Sequence, residues 1–221
     1  MTEAEWLGYS DPETMLEFLR GKASERKARL FTLACGRRYP RVWCDPADGP
    51  ATGSLVERLF DAAERDLDGA DCSEEMEGLR RHLGRRPTEW FWTLDGTLRG
   101  DTGFWGRFCG DRGAGLREET GIDVQELRQS QATLLRCIVG NPFRPVAAEP
   151  TWQTPQVVAL AQAAYDRREL PAGQLDPTRL AVLADALEDA GCAEADLLRH
   201  LRAPGPHVRG CWAVDLLLGK S

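Results

Sequence analysis

Cysteine and histidine are the side chains of this 221-residue sequence best suited to chemistry near neutral pH, and they crowd toward one end. Two of the three histidines, His200 and His207, and two of the seven cysteines, Cys192 and Cys211, fall between residues 176 and 219. His207 and Cys211 stand four residues apart, one helical turn, where an imidazole base could activate a thiol nucleophile. Asp215 lies beyond the cysteine rather than beyond the histidine, so it does not orient the base as a triad requires. With Val208, Trp212, Val214 and Leu216 around it, Cys211 reads better as a core thiol.

The same four residues have the types of a zinc set, and His-x₃-Cys is a spacing that invites one. Ligands must reach ~2.0 to 2.3 Å from one ion. On a continuous helix, however, Cys192 and His200 are separated by ~12 Å along its axis. A four-ligand site containing Cys192 is therefore not expected. His200, His207 and Cys211 with a water remain a conceivable three-ligand arrangement if the Pro204-Gly205-Pro206 turn folds one helix back on the next, but no acid is placed to orient His200. The expectation is no metal and no cofactor, with His200 serving the dipole at a helix C-terminus. Asp185, Glu188 and Asp189 lack the cleft that acid–base work by paired carboxylates needs, and read as solvated or paired with arginines.

The elements that position these residues have clear punctuation. Asp176-Pro177 is an N-cap with proline at the first helical position, and Gly191 suits the left-handed residue after the helix end. A second helix over about 193–202 carries Leu197, Leu198 and Leu201 and is stopped by Pro204-Gly205-Pro206. A third is expected to start near His207, apolar on all sides and hence buried. Upstream, Asp11-Pro12 opens a helix to Arg20, Ser24 one to about Arg38, and Ser73 one to about Leu83. Ser54 and Glu57 form a capping box for a further helix. Helices are also expected from Asp123 to Val139 and from Thr154-Pro155 onward. Between them, 84–121 breaks the pattern with Trp90, Phe91, Trp92, Phe104, Trp105 and many glycines, an irregular or hairpin insert with Asp95-Gly96 as its turn. It has no phosphate-loop motif.

The strings NPFRPV (141–146), LADALEDAGC (183–192) and GPHVRGCWAVDLLLGK (205–220) resemble the C-terminal half of a large paralogous family of bacterial helical proteins without assigned function, and MLEFLRGKASERKARLF (15–31) is similar to the start of that family. The resemblance implies a helical fold and no particular activity, and 84–125 departs from it.

Composition bounds the rest. With 42% hydrophobic and 29% charged residues the chain is of ordinary globular type. It has no apolar run of membrane-spanning length and an acidic start without a signal-like apolar stretch, so a cytoplasmic, non-membrane protein is expected. The scattered, odd-numbered cysteines lack a C-x-x-C pair and read as reduced thiols. A net charge of −7 opposes nucleic-acid coating by the whole surface, but residues 20–41 carry a local balance of +7. On a helical wheel Arg26, Arg29 and Arg37 share one side, opposite Leu30, Phe31 and Ala34.

These observations predict an all-α or mainly α multi-helix bundle of eight or nine helices, with parts at 1–83, 84–121 and 122–221 or one continuous domain. The expected function is a non-catalytic interaction or accessory module that binds another protein or complex through Arg26, Arg29, Arg37, Arg38, Trp90, Trp92 and Trp105. A rival expectation is nucleic-acid binding by the basic helix, with Tyr39 or Trp43 stacking. A third is a thiol- or metal-dependent enzyme at His207 and Cys211.

Overall fold

A computed structural model describes residues 1–38, 50–83 and 123–220. The expected hairpin insert, with Trp90, Trp92 and Trp105, and the candidate stacking residues Tyr39 and Trp43 lie outside the described residues. The helices are α1 (Glu3–Gly8), α2 (Pro12–Leu19), α3 (Glu25–Arg38), α4 (Pro50–Leu67), α5 (Ser73–Leu83) and α6 (Val124–Val139). They are followed by α7 (Pro155–Asp166), α8 (Pro177–Asp189), α9 (Ala195–Arg202) and α10 (Trp212–Leu218), with β1 (Arg168–Glu169) and β2 (Gln174–Leu175) between α7 and α8. The fold is mainly α, with ten α-helices among the described residues rather than eight or nine. None is long and apolar enough to cross a membrane.

Short-range capping accounts for most helix starts. Asp11 accepts from the Glu13 N–H, Thr154 from Val157 and Asp176 from Thr178, each directly before a proline at the first helical position. Ser24 Oγ accepts from the Lys27 N–H at 3.2 Å and opens α3 as expected. The Ser54–Glu57 box is corrected: α4 already starts at Pro50, which places Ser54 inside the helix. Helix α1, closed by a reciprocal Thr2–Glu5 capping box, is an addition to the sequence reading.

The chain divides into two compact units, Ser10–Ala132 and Met1–Tyr9 with Thr133–Ser221. In the first, α3 packs on α4 and α4 on α5. Leu30, Phe31 and Ala34 are buried as expected. The outward cationic face is not there, because Leu30 to Arg37 are eight consecutive buried residues and the second half of α3 has no solvent side. Arg37 donates from Nε and Nη2 to the two Glu64 carboxylate oxygens at 2.9 and 3.1 Å. Arg26 Nη2 pairs with Asp68 at 2.8 Å, Arg29 is half-buried, and only Arg38 of the four is exposed.

In the second unit α7 packs on α8 and α10, while α9 packs on α8 and α10. Leu180, Leu183, Leu187, Leu197, Leu201 and Tyr165 form its fully buried centre. The antiparallel ribbon pairs Arg168 with Leu175 and Glu169 with Gln174. Its second strand then captures the chain after α9: Gln174 bridges Val208, and the Leu175 N–H donates to the His207 carbonyl at 2.8 Å. Residues 207 and 208 are thereby held extended, and Gly210 adopts φ +88°, open to glycine and costly for other residues. The last helix consequently starts at Trp212, not near His207, and His207 and Cys211 are not one turn apart on a helix.

The Arg37–Glu64 pair yields a stability test. Both side chains are at most 4% exposed, so removing Glu64 leaves the buried Arg37 with the longer, 3.9 Å contact to the part-exposed Asp61. Glu64→Ala is expected to lower unfolding stability by about 3–5 kcal/mol in urea denaturation, whereas joint replacement of Arg37 and Glu64 by Met and Leu should be far milder. A Glu64→Ala loss below about 1 kcal/mol would place the pair in the class of solvated ion pairs instead.

Candidate metal centre

Four metal-ligating side chains from three parts of the second unit converge: Cys137, His200, His207 and Cys211. Their donor atoms all lie within 4.8 Å of one another. Cys137 comes from the last turns of α6, on the side that also buries Leu134 and Ile138. His200 stands in the last turn of α9, a helix anchored by the buried Leu197, Leu198 and Leu201. His207 follows the Pro204-Gly205-Pro206 turn and is fixed by β2. Cys211 closes a turn, its N–H donating to the Val208 carbonyl at 2.9 Å, just ahead of α10.

His200 Nε2 lies 3.2 Å from Cys211 Sγ, and the two imidazole rings meet edge to face at 4.8 Å. His207 Nε2 lies 3.0 Å from the Ala203 carbonyl. Because a carbonyl only accepts, this contact places the ring proton on Nε2 and leaves Nδ1 with its lone pair. That Nδ1 is buried and has no hydrogen-bond partner. An unsatisfied buried nitrogen costs about 1–3 kcal/mol, and a cation at the centre of the group would satisfy it.

Electrostatics favours the ligand state of the sulfur. Burial pushes the Cys211 thiol up, but the hydrogen bond with Cys137 together with the charge and contacts of His200 and His207 outweighs it, holding Cys211 well below the ordinary thiol range. The thiolate is the metal-binding form. Burial also opposes charge on His207, yet the contact with Cys211 and the Ala203 carbonyl raise its pKa. That contact is one of proximity and charge, without an aligned hydrogen bond at Nδ1.

Two sulfurs and two imidazole nitrogens are a zinc donor set. Tetrahedral ligands at ~2.0 to 2.3 Å stand about 3.3–3.8 Å apart, so donors within 4.8 Å need to draw in by about 1.5 Å at most. Two thiolates also neutralise a divalent cation, which keeps the burial cost low. The arrangement fits nucleophilic catalysis less well. Cys211 is 0% exposed, and the hydrogen-bond contact to its sulfur comes from His200.

As expected, Cys192 does not join His200, His207 and Cys211 in a four-residue group; the fourth member is one the sequence reading did not weigh. Cys192 is buried elsewhere and is not in the group, while Cys137, 63 positions before His200, is. The three-ligand remnant of His200, His207 and Cys211 does assemble, through the fold-back at the Pro-Gly-Pro turn. Nothing local marks Cys137, since Leu134, Leu135 and Ile138 around it read as core. The three acids of α8 have the bland role expected of them: Asp185 and Glu188 pair with Arg202 on the surface.

Trp212 backs the centre, its ring 5.2 Å from that of His200. Room for it comes from Gly140, three residues after Cys137, where a Cβ would lie 3.0 Å from the indole Cγ and where φ is +76°. The Gly140 carbonyl in turn accepts from the Trp6 indole N–H at 3.0 Å, and Arg136 donates to the Trp6 and Tyr9 carbonyls. Gly140→Ala therefore meets both a left-handed backbone and a filled space. It is expected to lower stability by about 2 kcal/mol or more, measured as a drop in thermal midpoint with a shift in tryptophan fluorescence; an unchanged midpoint would mean that Trp212 is not seated against Gly140. No family model matches the chain, and no curated protein or solved structure matches it either.

Proposed function

We propose that this protein is a non-catalytic helical module whose second unit is stabilised by one zinc ion held by Cys137, His200, His207 and Cys211. The observation that carries the reading is the buried, unpartnered Nδ1 of His207, whose other nitrogen is already committed to the Ala203 carbonyl. That is how a metal-ligating imidazole is oriented, one nitrogen on a main-chain oxygen and the other turned to the ion. Closure of the set supports a structural role over a catalytic one. With all four protein donors in place the tetrahedral set is complete, and three of them are at most 2% exposed.

A structural ion here connects α6, α9 and the segment before α10, points 74 residues apart in sequence at their widest. Binding such an ion is folding free energy, because the unfolded chain holds no preformed site. The interaction role expected from the sequence is retained as part of the proposal, with the ion supporting the fold that presents the surface. Arg26 and Arg37 drop out as contact residues, since Asp68 and Glu64 already bind them.

Metal analysis of the full chain, purified without a histidine tag, tests the proposal. One zinc per chain is expected, lost in Cys137→Ala and Cys211→Ala and kept in Cys192→Ala. Removing zinc with a strong chelator should lower the thermal midpoint by about 10 °C. A chain that carries no zinc, even after refolding in its presence, would overturn the reading.

A further inference from the structure

We infer that His200 is the exchangeable ligand of this centre: the metal enters and leaves past it, and a neutral external donor, an imidazole nitrogen or water, takes its coordination position. The inference rests on the metal-holding reading above and concerns how the same site is regulated.

Burial separates the four ligands. Cys137 and His207 are each 2% exposed and Cys211 0%, while His200 is only half-buried. Of the four, His200 alone has appreciable contact with solvent. Bracing separates them again. His207 is fixed at both ends, its Nε2 on the Ala203 carbonyl and its own carbonyl on the Leu175 N–H. His200 has no comparable hydrogen bond at Nδ1 among the described residues, and is positioned by ring contacts with His207 and Trp212. A metal-bound histidine without an outer hydrogen-bond partner is the weaker ligand. The supporting elements differ as well: Cys137 sits in a 16-residue helix, whereas His200 is two residues from the end of an eight-residue one.

Charge selects the incoming donor. With both thiolates retained the centre is neutral, and exchanging one neutral imidazole for another, or for water, leaves it neutral. Exchanging a thiolate instead would bury a net positive charge, and adding a third would bury a negative one. The step is ligand substitution alone. The metal–Nε2 bond of His200 breaks, a bond to the external nitrogen or oxygen forms, and no electron or proton has to move.

The experiment uses the full chain loaded with cobalt or zinc and free imidazole as the probe. His200→Ala is expected to keep one metal per chain, bound about 100-fold more weakly than by the unmodified chain. Its cobalt spectrum should retain both thiolate bands and return to the unmodified form as imidazole is added. Cys137→Ala, His207→Ala and Cys211→Ala are expected to lose the metal without rescue. Should His200→Ala unfold by circular dichroism, His200→Gln, closer in volume, takes its place. Complete loss of metal without imidazole rescue in the His200 variant overturns the inference, as does an affinity and spectrum identical to the unmodified chain. Absence of metal from the unmodified chain overturns the zinc reading itself, a distinct outcome read before any variant is made.

Discussion

Buried polar atoms must be satisfied, and in the unit formed by Met1–Tyr9 and Thr133–Ser221 the hardest to satisfy are four donor atoms gathered within 4.8 Å. Two sulfurs and two imidazole nitrogens can partly serve one another, as the 3.2 Å contact of His200 and Cys211 does. They do not do so completely, because His207 Nε2 is committed to the Ala203 carbonyl and its buried Nδ1 has no aligned partner. Apolar packing would fill the same space at lower cost. The zinc reading proposed above accounts for a core that keeps such a group buried. The local architecture places the group: β2 pairs with the chain at 207 and 208, Gly210 turns it with φ +88°, and α10 starts only at Trp212.

Helix ends were legible in the sequence because capping is local. An Asp or Thr before proline decides a start within three residues, and the starts of α2, α7 and α8 needed no tertiary information. The final helix was not legible in the same way. A run from Val208 to Leu218 has helical composition, but a bridge to Gln174, more than thirty residues earlier, overrides it for the first few positions. The cysteine–histidine cluster was half legible for the same reason. His200, His207 and Cys211 lie within 12 positions, close enough for the Pro-Gly-Pro turn to bring them together, as the sequence allowed. Cys137 carries no such signal, since a cysteine on the apolar side of a helix looks the same whether it packs or ligates.

The basic segment misled for a different reason. Its arginines were counted against acids in their own stretch, whereas their partners lie on α4 and just beyond it: Asp61, Glu64 and Asp68, spaced three and four apart, form one acidic stripe. Arg37, late in α3, meets Asp61 and Glu64; Arg26, early in α3, meets Asp68 at the far end of α4. That order is the one an antiparallel pair of helices imposes. The stripe was present in the sequence, and matching it to the arginines in reverse order would have predicted an internal ion-pair seam rather than an outer face. Local charge balance says where charges are, not which way they point.

The end of α6 performs two tasks at once, and this couples the ligand geometry to the N-terminal segment. Cys137 contributes a sulfur, and three residues on, Gly140 supplies a left-handed exit and the space that Trp212 fills. Trp212 bears on His200, the least braced ligand. Trp6 closes the chain of contacts by donating to the Gly140 carbonyl, with the Arg136 guanidinium fixing the backbone at Trp6 and Tyr9 from the same helix. The orientation of His200 is thus set less by a hydrogen bond of its own than by a stack that begins at residue 6. Apart from its 3.2 Å contact with Cys211, His200 is held by ring packing and His207 by hydrogen bonds at both ends, and on the zinc reading this difference is what makes His200 the ligand that exchanges.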